Sequence, residues 1–390
     1  MMARSVPKAV ARPGWSTLPL RLQMLSMMQS ASACTRCHWR RTRCCGRCAM
    51  AKTLPPAVAP FLANICEDNM TTLSQTKVNI LDVGYTAYQV TDLDLMERFL
   101  IDFGMTRSAR TDGAVYMRGT GSNHHVHVAR LGSENKFLGG CLVVASREEL
   151  DKAALIPGAV GPEAITEPGG GWRVTLTTPN KHTIWVEWGV AKVPEMPVRR
   201  SYRMNFASEH LRHNSAVRQR PEATPVLRIG HFVLWVPEAV PEIDWFMQHF
   251  AMAPADFICA HSDNPPGQEP VVGTFLRVDR GAEYVEHHCI LINQSIHYGC
   301  HHSSYEVLDL DAVMAGHDHL VAKGWKLDAG VGRHYLGSLI YDYWLDPFGQ
   351  RIEHYTDTDM INHEYVPVRF VGSADETTQW GMAPPSTFFE

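Results

Sequence analysis

The chain lacks any uninterrupted apolar run of the ~18 residues that a membrane-crossing helix requires, so nothing in it reads as a helical membrane span. It also lacks a strong charge excess. Its 36 Lys and Arg stand against 41 Asp and Glu, a formal net charge of −5, which gives no electrostatic reason to expect nucleic acid or an anionic membrane as partner. The first 66 residues lack acid altogether: they hold ten Lys or Arg, no Asp or Glu, and six of the ten cysteines. The remaining chain carries 26 basic and 41 acidic residues, about −15 by the same counting. Its four cysteines, Cys141, Cys259, Cys289 and Cys300, fit a reduced, cytoplasmic protein. What is present is ordinary for a globular protein, with 45% hydrophobic and 20% charged residues. A length of 390 residues allows two or more domains and a sizeable buried core. Twenty histidines, most of them in the C-terminal half, are the one unusual abundance.

The acid-free N-terminal stretch admits three readings. Cys34-Thr-Arg-Cys37 with Cys45-Gly-Arg-Cys48 could supply four thiolates to a zinc knuckle, although only seven residues separate the pairs. Arg-rich, acid-poor composition also suits a transit peptide. The plainest reading is a disordered or non-native extension over residues 1–77, with Met70 as an alternative start.

From Val78 onward the pattern strand, helix, several strands occurs twice. The first copy, 78–192, opens with the β-branched and aromatic stretch from Asn79 to Val90, followed by a helix predicted over Leu93 to Phe103. The second, 225–370, opens with Val226 to Val236 and a helix around Ile243 to Phe250. Residues 193–224 between them are polar and Arg-rich and read as a linker, and residues 371–390 as a tail. Spacing supports a duplication of about 145 residues: His288 precedes His302 by 14 positions, as His125 precedes Gly139, and Gly84-Tyr85 stands where Gly230-His231 stands. On this alignment Tyr85, Gly139 and Glu187 occupy the places of His231, His302 and Glu353, so the first copy is expected to be a structural half without metal.

His231, His302 and Glu353 lie on three separate predicted strands and form the two-histidine, one-carboxylate set of non-haem Fe(II) oxygenases. Three ligands on one face leave three positions for a chelating substrate and dioxygen. Each residue alone reads more readily as an ordinary polar strand residue; it is their joint placement on repeated strands that points to a metal.

The stretch Gly332-Arg-His-Tyr-Leu-Gly-Ser-Leu-Ile-Tyr-Asp-Tyr-Trp-Leu-Asp-Pro-Phe-Gly-Gln-Arg-Ile-Glu353, with the pairs His287-His288 and His301-His302, resembles the signature of the type I extradiol dioxygenases of the vicinal oxygen chelate superfamily. The resemblance covers about residues 79–365 and is densest from 226 to 359. It implies an α+β fold of two tandem modules, each of paired βαβββ units, with Fe(II), or Mn(II), in the C-terminal one. It implies a catechol-type substrate and dioxygen as partners; a homo-oligomer is expected, and charge and hydropathy give no expectation of nucleic acid or membrane. It further implies that Tyr343 and His334 hydrogen-bond the substrate hydroxyls and that His288 acts as acid–base catalyst, since imidazole titrates near neutrality. Two departures concern substrate choice: Asp342 stands where the family is usually apolar, and Leu336-Gly337 follow His334 where some members carry Asn-Asp.

His287 and His301 are expected to point away from their neighbours by strand alternation, His317 and His319 to be solvated on a helix from Asp311 to Lys323, and Asp357 and Asp359 to sit in a polar loop. Two other readings remain: a metal-dependent glyoxalase-like lyase or isomerase, and a non-catalytic module that sequesters an aromatic ligand.

Overall fold

The computed structural model of the protein describes residues 77–372, 374–382, 384–385 and 388. The Cys-rich extension, its two cysteine pairs and Met70 lie outside the described residues.

Alternating apolar and polar residues with dense Val, Ile and Tyr produce strands, and the first copy supplies eight: β1 (Ile80–Val90), β2 (Thr106–Arg110), β3 (Ala114–Arg118), β4 (His127–Leu131), β5 (Lys136–Val144), β6 (Val160–Ala164), β7 (Trp172–Thr177) and β8 (Thr183–Trp188). Helix α1 (Leu93–Asp102) follows β1, and α2 (Arg147–Ala153) follows β5. The Asp92 carboxylate accepts the Leu95 N–H at 2.9 Å and so starts α1. Met96, Phe99 and Leu100 form its buried stripe, and Phe103 closes it as the C-cap rather than as its last helical residue.

The second copy repeats this plan with β9 (Arg228–Val236), α3 (Ala239–His249), β10 (Met252–Cys259), β11 (Val271–Val278), β12 (Ile290–Gln294), β13 (Gly299–Glu306), α4 (Leu310–Lys323), β14 (Lys326–His334), β15 (Ile340–Leu345) and β16 (Arg351–Thr356). The strand order is β2-β3-β4-β1-β5-β8-β7-β6 in the first sheet and β10-β11-β12-β9-β13-β16-β15-β14 at the centre of the second. In each, the opening strand runs parallel to the fourth and antiparallel to the fifth, so every module is two βαβββ units joined edge to edge. The α+β fold of tandem paired units expected from the sequence is the fold observed.

Alternation along β9 divides its work. Phe232, Leu234 and Val236 enter a core shared by both modules, whereas His231, Val233 and Trp235 face a cavity on the other side of the sheet. Ile229 joins the core rather than the His231 face, because a register shift between Ile229 and His231 reverses the alternation at Gly230. Polar pairs also cross between the modules: the Tyr88 hydroxyl lies 2.5 Å from Ser303 Oγ, and His354 Nε2 donates to the Phe103 carbonyl at 2.7 Å.

Residues 193–224 are largely irregular, with one short antiparallel pair, Asn205–Phe206 against Glu209–His210. The C-terminal tail is not separate from the module. Strand β17 (Arg369–Val371) pairs with β10, β18 (Thr378–Gly381) pairs with β14, and Phe388 is buried against Tyr343 and His301. Its pairing partners are far away in sequence, so no local pattern in the tail signals them.

Candidate metal centre

Three strands bring His231 (β9), His302 (β13) and Glu353 (β16) together, all buried. The ladder explains why: Ser304 pairs with both His231 and Glu353, and His302 lies two residues from Ser304. His231 Nε2 lies 3.2 Å from Glu353 Oε2, His302 Nε2 lies 3.3 Å from the same oxygen, and the two nitrogens are 3.4 Å apart. Neighbouring ligands at about right angles around an ion ~2.1 Å from each would be ~3 Å apart. The donor set therefore fits one divalent ion on one face. Both Glu353 oxygens are buried without a hydrogen-bond partner, a costly state that a bound cation would relieve. Burial alone would raise this carboxyl, but the facing His231 and His302 outweigh it and hold it well below the usual range. Burial pushes His302 down to about 4, so it is neutral and able to ligate at neutral pH.

His301 fixes the ring of its neighbour. Its Nε2 donates to the Phe388 carbonyl at 2.7 Å, which leaves its Nδ1 as an acceptor 2.6 Å from His302 Nδ1. His302 must then carry its proton on Nδ1 and offer Nε2 to the metal. The expectation that His301 points away is thus corrected. The ladder shifts register between Val233↔His302 and Leu234↔Cys300, and the extra residue of this bulge is His301 itself. His287 likewise turns onto His288, their Nδ1 atoms 3.1 Å apart, in an irregular segment where strand alternation does not apply.

His288, His334 and Tyr343 line the same cavity as the two ligand histidines. The His288 ring lies 4.2 Å from that of His231, centroid to centroid, and burial with the facing His231 and His287 holds it well below the ordinary imidazole value. His334 Nε2 lies 2.8 Å from the Tyr343 hydroxyl. Burial brings His334 to about 4, while burial and the Glu353 charge raise the Tyr343 phenol far above its usual value. The phenol is therefore the donor and the imidazole the acceptor. The cavity has a volume of about 90 Å³, and its remaining wall is mainly apolar, with Trp235, Phe275, Leu291, Leu336, Leu339 and Phe388. A larger groove of about 880 Å³ shares Trp235 and His301 with it but contains none of the six predicted site residues, so size does not mark the site.

The departures from the family pattern have local reasons. The buried Asp342 carboxylate accepts from His317 Nδ1 at 2.9 Å and from Trp344 Nε1 at 2.7 Å, so His317 is held by a hydrogen bond rather than solvated. His319 also faces an acid, Asp102, at 3.5 Å. Gly337 has φ +74°, and a Cβ there would meet His287 Nδ1 at 2.8 Å. Asp357 pairs with Arg333, and the Asp359 carboxylate accepts from the Ser338 hydroxyl.

In the first module the ladder corrects one equivalence. Gly139 pairs opposite Ala87 as His302 pairs opposite Val233, and Cys141 then sits beside Trp185 as Ser304 sits beside Glu353. The residue at the place of Glu353 is Trp185, and Glu187 lies two positions on, where it accepts from the Tyr85 hydroxyl and from Arg173 Nε. Spacing misled because the two copies differ in loop length before this strand. Tyr85, Gly139 and Trp185 offer no carboxylate or imidazole at the three ligand positions. Sequence reasoning also missed Asp256, Phe275 and Phe388; a lone acid within the apolar stretch of β10 was the only available signal.

The family profile described as Glyoxalase/Bleomycin resistance protein/Dioxygenase superfamily matches residues 228–354, a span holding all six site residues. Together with the paired βαβββ fold and the clustered His231, His302 and Glu353, this makes the C-terminal module similar to members of that superfamily. The chain is similar to Metapyrocatechase 2 of Cupriavidus necator, 26% identical over 311 residues that span 78% of this chain and 90% of the relative. The fold is shared with homoprotocatechuate 2,3-dioxygenase from Arthrobacter globiformis, at TM-score 0.66 and 18% identity, covering 80% of this chain and 91% of that one. It is shared equally with the Mn(II)-bound glyoxalase from Novosphingobium aromaticivorans, at TM-score 0.65 and 22% identity, covering 79% and 94%.

Proposed function

We propose that the protein is an extradiol dioxygenase that opens the ring of a catechol by inserting both atoms of dioxygen. The observation that carries this reading is one cavity lined by His231 and His302, whose donor atoms cluster with that of Glu353, and by three further groups, His288, His334 and Tyr343, suited to a diol. Fe(II), or Mn(II), held by His231, His302 and Glu353 would supply Lewis acidity toward the diol and electron exchange with dioxygen. The stoichiometry needs no external reductant, because both oxygen atoms end in the product.

The chain's own groups have separable tasks. The Tyr343 hydroxyl and His334, already hydrogen-bonded to each other, orient the hydroxyl-bearing edge of the ring. His288 faces the same space as a neutral imidazole and takes the proton the diol must lose. The apolar wall of Trp235, Phe275, Leu291 and Leu336 excludes water and receives the ring.

The glyoxalase-like fold neighbour keeps a lyase or isomerase as the competing assignment. Oxygen uptake by the iron-loaded protein with a panel of catechols, followed by the absorbance of the ring-cleavage product, separates the two. Stoichiometric uptake with a yellow product is expected. Turnover of a thiol adduct without oxygen uptake would replace this reading with the lyase.

A further inference from the structure

Behind His288 runs a buried chain of hydrogen-bonding groups that metal binding does not require. The Asp256 Oδ2 atom lies 2.9 Å from His287 Nε2, and His287 Nδ1 lies 3.1 Å from His288 Nδ1. All three residues are buried, with exposures of 1%, 0% and 5%. The carboxylate is itself anchored: Oδ1 accepts the Val368 N–H at 2.7 Å and the Tyr365 hydroxyl at 3.1 Å.

With Asp256 ionised and both imidazoles neutral, proton bookkeeping along this chain has one solution. An ionised carboxylate only accepts, so His287 must carry its proton on Nε2. A neutral His287 then presents a bare Nδ1, and the close Nδ1···Nδ1 approach requires the intervening proton to sit on His288. With Nδ1 protonated, a neutral His288 has its lone pair on Nε2, the nitrogen not engaged by His287, on a ring that lines the metal cavity. We propose that Asp256, through His287, is a positioning residue that fixes His288 in the Nδ1–H tautomer, so that Nε2 is free to accept the proton of the substrate diol.

The first module carries an independent observation in support. It retains a matching pair, with His124 Nδ1 and His125 Nδ1 3.0 Å apart, and Tyr116 packs on His125 as Phe275 packs on His288. The ladder there shows the same bulge, and the residue opposite Tyr116 is Ala109, whereas Asp256 stands opposite Phe275. The carboxylate is present in the module that has the ligand set and replaced by alanine in the one that lacks it. A paired histidine needed only for packing would not call for the acid.

The tautomer assignment stands on hydrogen bonding alone, and its consequence for turnover rests on the ring-cleavage reading above. The test is nitrogen-15 NMR of the ring nitrogens in the metal-free protein, with wild type, Asp256→Asn and Tyr365→Phe. Wild type should show His288 protonated at Nδ1 and His287 at Nε2. In Asp256→Asn the amide oxygen stays on the Val368 N–H and the NH2 group faces His287, so both tautomers should reverse. Iron-loaded Asp256→Asn should then keep its iron and its catechol KM while kcat falls by ~10²-fold, a loss typical of one acid–base group. Tyr365→Phe removes a donor to Asp256 without changing the proton order, and should retain the NMR pattern. A wild-type His288 protonated at Nε2, or unchanged tautomers in Asp256→Asn, would overturn the proposal, and the wild-type spectrum decides even if the variant does not fold. Absence of oxygen uptake in the wild-type protein would defeat the ring-cleavage reading and leave the NMR result standing.

Discussion

The Tyr343 hydroxyl donates to His334 Nε2 across 2.8 Å, joining adjacent strands β15 and β14 at the rim of the metal cavity. Tyr343 is buried, and its loss leaves the His334 acceptor without this partner. Tyr343→Phe should therefore cost ~1–3 kcal/mol of folding stability, the usual consequence of orphaning a buried polar atom. Iron content should be unchanged and kcat lowered. Thermal unfolding and metal analysis of the same sample check both parts.

Replacing a proposed ligand and replacing the proposed acid–base group should give different losses. His302→Ala removes one of three ligand atoms, so iron and turnover should vanish together. His288→Gln leaves the three ligands intact, so iron and catechol should still bind while the oxygen-dependent step slows by ~10²–10⁴-fold. Metal content and single-turnover oxygen consumption distinguish the two. Wild type should bind about one ion per chain, because Tyr85, Gly139 and Trp185 stand at the ligand positions of the first module. A second well-ordered ion would contradict the inert first half.

The cavity wall has no Lys or Arg among the described residues. A carboxylate-bearing side chain on the substrate would be desolvated there without a cationic partner. Catechols with neutral, apolar substituents should have kcat/KM values ~10–100-fold above those of carboxylated ones. Steady-state oxygen uptake across such a panel is the measurement.

Acid should destabilise the protein through its buried histidines. Burial lowers His127 to about 3 and His354 to about 4, against an unfolded value of ~6.5. The unfolded chain binds more protons below pH ~6.5, so stability is full above that value and declines as pH falls toward the folded values. The slope reaches ~1.4 kcal/mol per pH unit for each histidine. His127 Nδ1 lies 2.9 Å from the Tyr305 hydroxyl and its Nε2 is unpaired, so His127→Gln should flatten this slope in urea unfolding between pH 6.5 and 4.

Gly230 precedes the ligand His231, and a Cβ there would fall 1.9 Å from the Tyr355 hydroxyl. Tyr355 is fixed beneath by contacts to Arg228 and Glu286, so it cannot swing clear without breaking them. Gly230→Ala should cost at least ~1–3 kcal/mol and reduce iron affinity by displacing His231. The two effects are read by chemical unfolding and iron titration.

The sequence by itself determined the duplicated strand–helix–strand plan and the cluster of His231, His302 and Glu353. Alternation, capping and turn residues act over a few positions, and the repeat preserved their spacing in both copies. It did not disclose how His287 and His301 face, because a bulge and an irregular segment cancel alternation where these pairs lie. Nor did it disclose that Trp185, not Glu187, occupies the third ligand position of the first module, since residue counting ignores differing loop lengths. Asp256, the Phe388 carbonyl and the pairing of Thr378–Gly381 with β14 meet the site from 31 to 87 positions away. Only tertiary structure decides such contacts, because they depend on which strands become neighbours and in what register.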